Sequence, residues 1–131
     1  MNKIIIVSGP VIVKDNKVLL DKDCKDDFWK FCGGKVKEDE GLVDTAIRRS
    51  REELGIDIEL LDEIPYMNFT KKETGDESID VVLAHFLAGA VGEIKPGADI
   101  REWKWIPLSE LKNEPLAPNI IPTLKHFGFI K

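Results

Sequence analysis

Residues 42 to 54, "LVDTAIRRSREEL", constrain the fold most, because they interrupt a chain that otherwise reads largely as strand. Their apolar positions Leu42, Val43, Ala46, Ile47 and Leu54 follow helical rather than alternating spacing, and Gly55 stands where a helix stop belongs. Ahead of this helix, residues 3 to 14 are rich in Ile and Val and predict a buried strand; Asp15-Asn16 supplies a turn, and "KVLLD" returns as a second strand. "FWKF" reads as a short aromatic strand delivering the chain to Gly33-Gly34. After the helix, "IDIELLDEI" and "YMNFT" suggest one long strand broken near Pro65, and "KKETGDES" reads as a loop. "IDVVLAHFLAG" reads as a central strand, apolar enough to be covered on both faces. A Gly- and Pro-containing loop at residues 89 to 99 leads to the strand "EWKWIP" and a short helix beginning at "LSELK". Ile120, Ile121, Leu124 and Phe127 have the spacing of an amphipathic terminal helix. Several strands with one central and one terminal helix imply an α/β fold, a mixed sheet with helices on its faces.

Residues 1 to 131 suit one compact domain, long enough to bury a core without disulfides or metal staples. The net charge of −5 argues against a nucleic-acid polymer as the main partner, since such binding neutralises many phosphates. A small anionic ligand stays open if a divalent cation bridges it to carboxylates. Cys24 and Cys32 are too few for a disulfide framework and read as reduced thiols of a cytoplasmic protein. Lys3 precedes an apolar run, but Gly9-Pro10 interrupts it and no small-x-small cleavage site follows, so a secretory leader is not expected. No stretch reaches the ~20 apolar residues of a membrane span.

The chemistry concentrates in residues 33 to 56, "GGKVKEDEGLVDTAIRRSREELGI". On a helix, residues three and four apart share a face, so Arg49 lies beside both Glu52 and Glu53, Arg48 neighbours Glu52, and Arg51 faces elsewhere. Two long glutamates can converge on one ion at the helix flank, and hard cations such as Mg²⁺ favour oxygen ligands together with substrate phosphates. The alternative is a solvated face with ordinary ion pairs, the usual fate of a charge run. On that exposed flank, removing the charge of Glu53 is expected to leave folding little changed.

The spacing Gly34, Glu40, Arg48, Glu52-Glu53, Gly55-Ile56 resembles the signature of the Nudix hydrolase family, G-x5-E-x7-R-E-U-x-E-E-x-G-U with U apolar. "FWKFCGG" is similar to that family's strand into a glycine pair, with Cys32 where Pro is usual, and "DIREWKWIPLSEL" and "LAPNIIPTL" resemble later segments of MutT-like members. The resemblance implies a Nudix-type α/β/α sandwich with a mixed β-sheet. It also implies Mg²⁺- or Mn²⁺-dependent hydrolysis of a nucleoside diphosphate linked to another group, foremost a nucleoside triphosphate, by a monomer or homodimer. Carried over residue by residue, Glu52, Glu53 and the Gly33 carbonyl hold metal and Arg48 orients the glutamates. Lys35 offsets leaving-group charge, and Asn119 reads the base unless it simply caps the following helix.

Two positions depart from the signature. Arg49 stands where the family has the first Glu, a metal ligand, and Ser50 where it has an apolar residue. Arg49 is expected to pair with Glu52 and Glu53 and so to weaken the metal site, leaving as the alternative a nucleotide-binding module with impaired turnover. A replacement carboxylate is sought in the acidic loop, at Asp99 or Glu102. His85 alternates with Val81, Leu83 and Leu87 and reads as a core imidazole. Trp29, Trp103, Trp105, Phe28 and Phe69 offer base-stacking surface, though strand aromatics are commonly core.

Overall fold

The computed structural model describes residues 3–131. The elements run β1 (Lys3–Lys14), β2 (Lys17–Asp23), β3 (Gly34–Lys35), α1 (Leu42–Leu54), β4 (Asp57–Leu60), β5 (Tyr66–Thr74), β6 (Glu77–Val91), β7 (Ile100–Pro107), a 3₁₀ segment (Leu108–Asn113) and α2 (Ile120–His126). The helix ends at Gly55, whose φ of 65° takes the left-handed cap and lets its N–H reach the Arg51 carbonyl at 3.1 Å.

β6 organises the sheet. Along one edge it pairs in parallel with β1, from Lys3↔Ile79 to Ile12↔Ala88. Along the other it pairs antiparallel first with β5, Thr74↔Glu77 through Tyr66↔His85, and then with β4, Leu60↔Ala88 through Asp57↔Val91. The segment expected as one strand broken near Pro65 is therefore two strands lying end to end on one partner. The expected loop "KKETGDES" is mostly ladder: β5 runs to Thr74 and turns back at once into β6. β1 continues the path to β2, β2 pairs antiparallel with β7, and β3 pairs with β1, so the sheet is mixed. "FWKF" forms only isolated bridges, Asp21↔Lys30 and Trp29↔Leu116, because the chain there leaves the sheet to reach β3.

Strand alternation sends neighbouring residues to opposite layers. Val11, Val18, Leu20 and Ile106 pack with Ile120 and Leu124 of α2. Ile12, Leu19, Cys32 and Trp105 pack with Leu54 and Ile56 at the end of α1. Helices cover both faces of the mixed sheet, the α/β/α sandwich. The same alternation puts Asp21, two residues beyond Leu19, on the α1 side of β2.

Candidate functional site

The N-terminal half of the site is fixed by Arg48. Its guanidinium grips Glu40 with two hydrogen bonds, at 2.6 and 3.0 Å, and donates to Glu52 Oε1 at 2.5 Å and to the Lys35 carbonyl at 3.0 Å. Arg48, and then the Thr45 hydroxyl at 2.7 Å, hold the Glu40 carboxyl down to about 2. Arg48 likewise lowers Glu52, its hydrogen bond outweighing the opposing effect of burial. Glu40 thus ties the loop to the helix, and Arg48 orients Glu52 but not Glu53.

Arg49 is directed into the site. It donates to Glu53 Oε1, and more loosely to Glu52 Oε2 at 3.5 Å and to the Gly33 carbonyl at 3.4 Å. Its stem lies over Gly34, where a Cβ would come within 2.3 Å of Arg49 Nε, so glycine is what admits the side chain. One cation therefore gathers the three oxygens that the resemblance assigned to a metal.

Glu53 is not on an exposed flank, contrary to expectation: it is 4% exposed, whereas the Glu52 side chain is 44% exposed. Its second oxygen, Oε2, is buried with no hydrogen-bond partner. Behind it lies Asp21, fully buried with both oxygens unpartnered. Burial first, and then the charge of Glu53, push the Asp21 carboxyl far above the ordinary carboxylate range, so that it keeps a proton at neutral pH. That proton suits a hydrogen bond between the two acids. Cys32 completes the buried group, its thiol donating to the Arg49 carbonyl at 3.6 Å and pushed well above its ordinary pKa by burial and then by the charge of Glu53.

Outside this floor opens a cleft of about 290 Å³ lined by Asp23, Lys30, Gly33, Arg49, Glu53 and Asp99 among others. Lys30 pairs with Asp23. Burial opposes the Lys30 charge, but Asp23 and then Glu53 and Asp21 outweigh it and raise the ammonium's pKa. Asp23 is in turn held at about 2; burial works against this, and the Lys30 bond and the Lys25 and Asp26 N–H groups overcome it. Asp99 reaches the cleft because its loop is pinned to the end of α1, Lys95 N–H to the Leu54 carbonyl at 2.7 Å and Gly97 N–H to the Glu53 carbonyl at 2.9 Å. Glu102 instead faces Lys22 at 3.5 Å and Arg101 at 3.9 Å and does not line the cleft. The Lys35 side chain is exposed and also lies outside that lining.

A second recess of about 260 Å³ holds Asn119 together with Asn68, Phe69, Thr70, Leu83, Pro118 and Pro122. Asn119 makes no side-chain cap on α2; its carbonyl accepts from Thr123 Oγ1 at 2.6 Å, and that hydroxyl accepts from Asn68 Nδ2 at 3.0 Å. Of the aromatics, Trp29 is core, with its indole N–H on Glu114 at 3.0 Å, whereas Phe69 is 79% exposed at the recess. His85 is buried, tilted against Phe31 and lowered to about 4 by burial.

Sequence reasoning missed Asp21, Lys30 and Asn68. Asp21 had a signal, a charged residue on the same strand face as Leu19; Lys30 and Asn68 gave none, since only the fold brings them to the cleft and the recess.

Known proteins share this domain. The NUDIX domain profile matches residues 4–127. CTP pyrophosphohydrolase of Escherichia coli (strain K12) is 31% identical over 132 residues, covering 95% of this chain and 92% of that one. The m7GpppN-mRNA hydrolase of Saccharomyces cerevisiae (strain ATCC 204508 / S288c) is 30% identical over 125 residues, 90% of this chain but 12% of that protein. A MutT NUDIX hydrolase from Burkholderia pseudomallei superposes with a TM-score of 0.76 at 24% identity over 94% of this chain and 97% of its own, a likeness of fold. An orienting Arg48, a glutamate pair at the end of α1 and a glycine turn facing it across the cleft are thus set in a matching domain, and the chain belongs to the Nudix family of hydrolases acting on phosphoanhydride bonds.

Proposed function

We propose that the chain, as a single Nudix domain, hydrolyses a nucleoside triphosphate or a related nucleoside diphosphate derivative with the help of Mg²⁺ or Mn²⁺. The observation that carries this is the convergence of Glu52, Glu53 and the Gly33 carbonyl on the Arg49 guanidinium, a donor set of oxygens already gathered about one positive charge. Such a set fits a hard divalent cation. Glu52, Glu53, Gly33 and, from the loop pinned to the end of α1, Asp99 would hold it; when bound, it supplies polarisation of the phosphoryl oxygens and a lowered pKa for the attacking water.

The remaining steps belong to the chain's own residues. Arg49 yields Glu53 and Glu52 and turns its fork toward a phosphate, a geometry that a guanidinium matches with paired hydrogen bonds. Lys30 offsets leaving-group charge from within the cleft, the role that the resemblance gave to Lys35. Arg48 keeps Glu52 ionised and aimed. Asn119 and Asn68 offer amide groups to a base edge, with Phe69 as an exposed aromatic face beside them. The relative from Escherichia coli carries the name of a nucleoside-triphosphate pyrophosphohydrolase and is covered nearly end to end, which supports a small nucleotide. The net charge of −5 disfavours a long RNA as the main partner. Free thiols at Cys24 and Cys32 suit the reducing cytoplasm, and no helix among the described residues is long and apolar enough to cross a membrane.

A panel of nucleoside triphosphates and nucleoside diphosphate derivatives, assayed with Mg²⁺ and Mn²⁺ for phosphate and pyrophosphate, tests the reading. Metal-dependent release of a nucleoside monophosphate and pyrophosphate is the expected result for a triphosphate. Saturable nucleotide binding with no product from any compound would overturn it in favour of the impaired binding module.

A further inference from the structure

Behind Glu53 lie two buried side chains, Asp21 and Cys32, that take no part in the chemistry above. Asp21 comes from β2, Cys32 from the turn before β3 and Glu53 from the last turn of α1, and one ligand atom of each lies within 4.8 Å of the other two. All three residues are at most 4% exposed. Both oxygens of Asp21 and Oε2 of Glu53 are buried with no donor beyond a proton that the two acids share. Polar groups so enclosed and unsatisfied are uncommon in a folded protein and call for a ligand or a proton.

From these positions we propose that Asp21, Cys32 and Glu53 form a binding site for one thiophilic divalent cation of the Zn²⁺ class, on the inner side of Glu53 and opposite Arg49. Three atoms mutually within 4.8 Å share a point no more than about 2.8 Å from each, and zinc bonds to oxygen and sulfur are about 2.0 to 2.3 Å, so side-chain adjustments of roughly 0.5 to 0.8 Å close the site. A sulfur with two carboxylate oxygens selects a borderline-soft cation, whereas Mg²⁺ prefers oxygen alone. Coordination requires the Cys32 thiol and the Asp21 carboxyl to give up their protons to solvent; no oxidation state changes. The three negative ligands then face a divalent ion, with Arg49 and Lys30 close by to offset the remaining charge. Bound there, the cation would sew β2, the approach to β3 and α1 together beneath the cleft. The site does not depend on the hydrolytic reading, because its test is spectroscopic.

Chelator-stripped protein is titrated with Cd²⁺ and followed by the ultraviolet charge-transfer absorption of a cadmium thiolate. The expected result is one Cd²⁺ per chain, displaced by Zn²⁺ and not by a large excess of Mg²⁺. Cys24→Ser retains the band, Cys32→Ser abolishes it, and Asp21→Asn weakens the affinity at least about tenfold, in line with the loss of a ligand. Circular dichroism checks each variant's fold, and Asp21→Asn, almost unchanged in shape, keeps the test alive if Cys32→Ser fails to fold. Absence of a band in the wild type means that the two acids merely share a proton and overturns the site; so does a band lost in Cys24→Ser, or an affinity unmoved in Asp21→Asn.

Discussion

Arg49→Glu restores the carboxylate of the family signature, and the structure gives it two opposite consequences. Arg49 is the only cation hydrogen-bonded to Glu53 among the described residues, and the Glu53 side chain is 5% exposed. Breaking an enclosed ion pair by removing one member costs about 3–5 kcal/mol. The Arg49 side chain is itself 24% exposed, so a loss near the lower figure, about 3 kcal/mol, is expected for the variant without metal. The new carboxylate adds repulsion beside Glu52 and Glu53. A divalent cation reverses the sign: it meets three glutamates and no competing guanidinium. A ligand that binds only the folded state stabilises it by about 2.7 kcal/mol at a concentration one hundred times its Kd, so saturating Mn²⁺ should recover most of the loss.

The assay is urea denaturation of both proteins with chelator and along a Mn²⁺ series, paired with hydrolysis under the same salt. The variant should be less stable than wild type without metal, gain more from Mn²⁺, and turn over faster. If it is as stable as wild type in chelator and gains nothing from Mn²⁺, the guanidinium neither supports Glu53 nor occupies the cation position, and the reasoning fails.

Gly34→Ala should push Arg49 aside without changing any charge, since the new Cβ falls within 2.3 Å of Arg49 Nε; a shift toward tighter Mn²⁺ binding, read by calorimetry, is expected, and unchanged affinity would count against the clasp. Glu53→Gln should lower metal-dependent hydrolysis at least about tenfold. Because Glu53 is buried, it should also shift the urea midpoint by an amount equivalent to about 1–3 kcal/mol, not the small effect of a surface substitution. Asn119→Ala should change the ratio of kcat/KM values between bases with little loss of melting temperature, since its side chain does not cap α2; an equal loss for all bases would refute base reading. His85 is neutral in the fold, lowered to about 4 from an ordinary 6.5, so its stabilising contribution is complete above about pH 6.5 and is lost as pH falls toward 4. Wild type should therefore lose about 2 kcal/mol relative to His85→Leu between about pH 6.5 and 5, measured by urea denaturation, and parallel profiles would contradict the burial argument.

Much of this molecule was legible wherever the signal was local. The spacing of Leu42 to Leu54 and the stop at Gly55 gave α1 with its observed bounds, and the i+3 and i+4 offsets gave the Arg49 pairs with Glu52 and Glu53. What failed depended on partners distant in sequence. Strands β4 and β5 looked like one broken strand because nothing within residues 57 to 74 says that β6 is long enough to pair with both in turn. Glu53 looked exposed because a helical wheel fixes its neighbours on α1 and not what the sheet brings against it. Asp21 was readable by alternation as a charge on the face of Leu19, yet only the packing of β2 against α1 turns that anomaly into a carboxyl behind Glu53.

The two irregularities of the sequence meet in one side chain. Arg49 departs from a ligand position and Asp21 from an apolar strand face, and Glu53 lies between them, one oxygen on the guanidinium and the other turned toward the buried acid. Each makes the other tolerable. Without Arg49, the Glu53 charge would face Asp21 with no hydrogen-bonded cation; without Asp21, Oε2 would lose the donor that a protonated carboxyl supplies. A substitution at either position is therefore expected to change the proton and cation balance of the same glutamate. Arg49→Glu and Asp21→Asn should accordingly be non-additive, with a double-mutant coupling energy of about 1 kcal/mol or more in urea denaturation without metal. Strict additivity would mean that Glu53 is not the link between them.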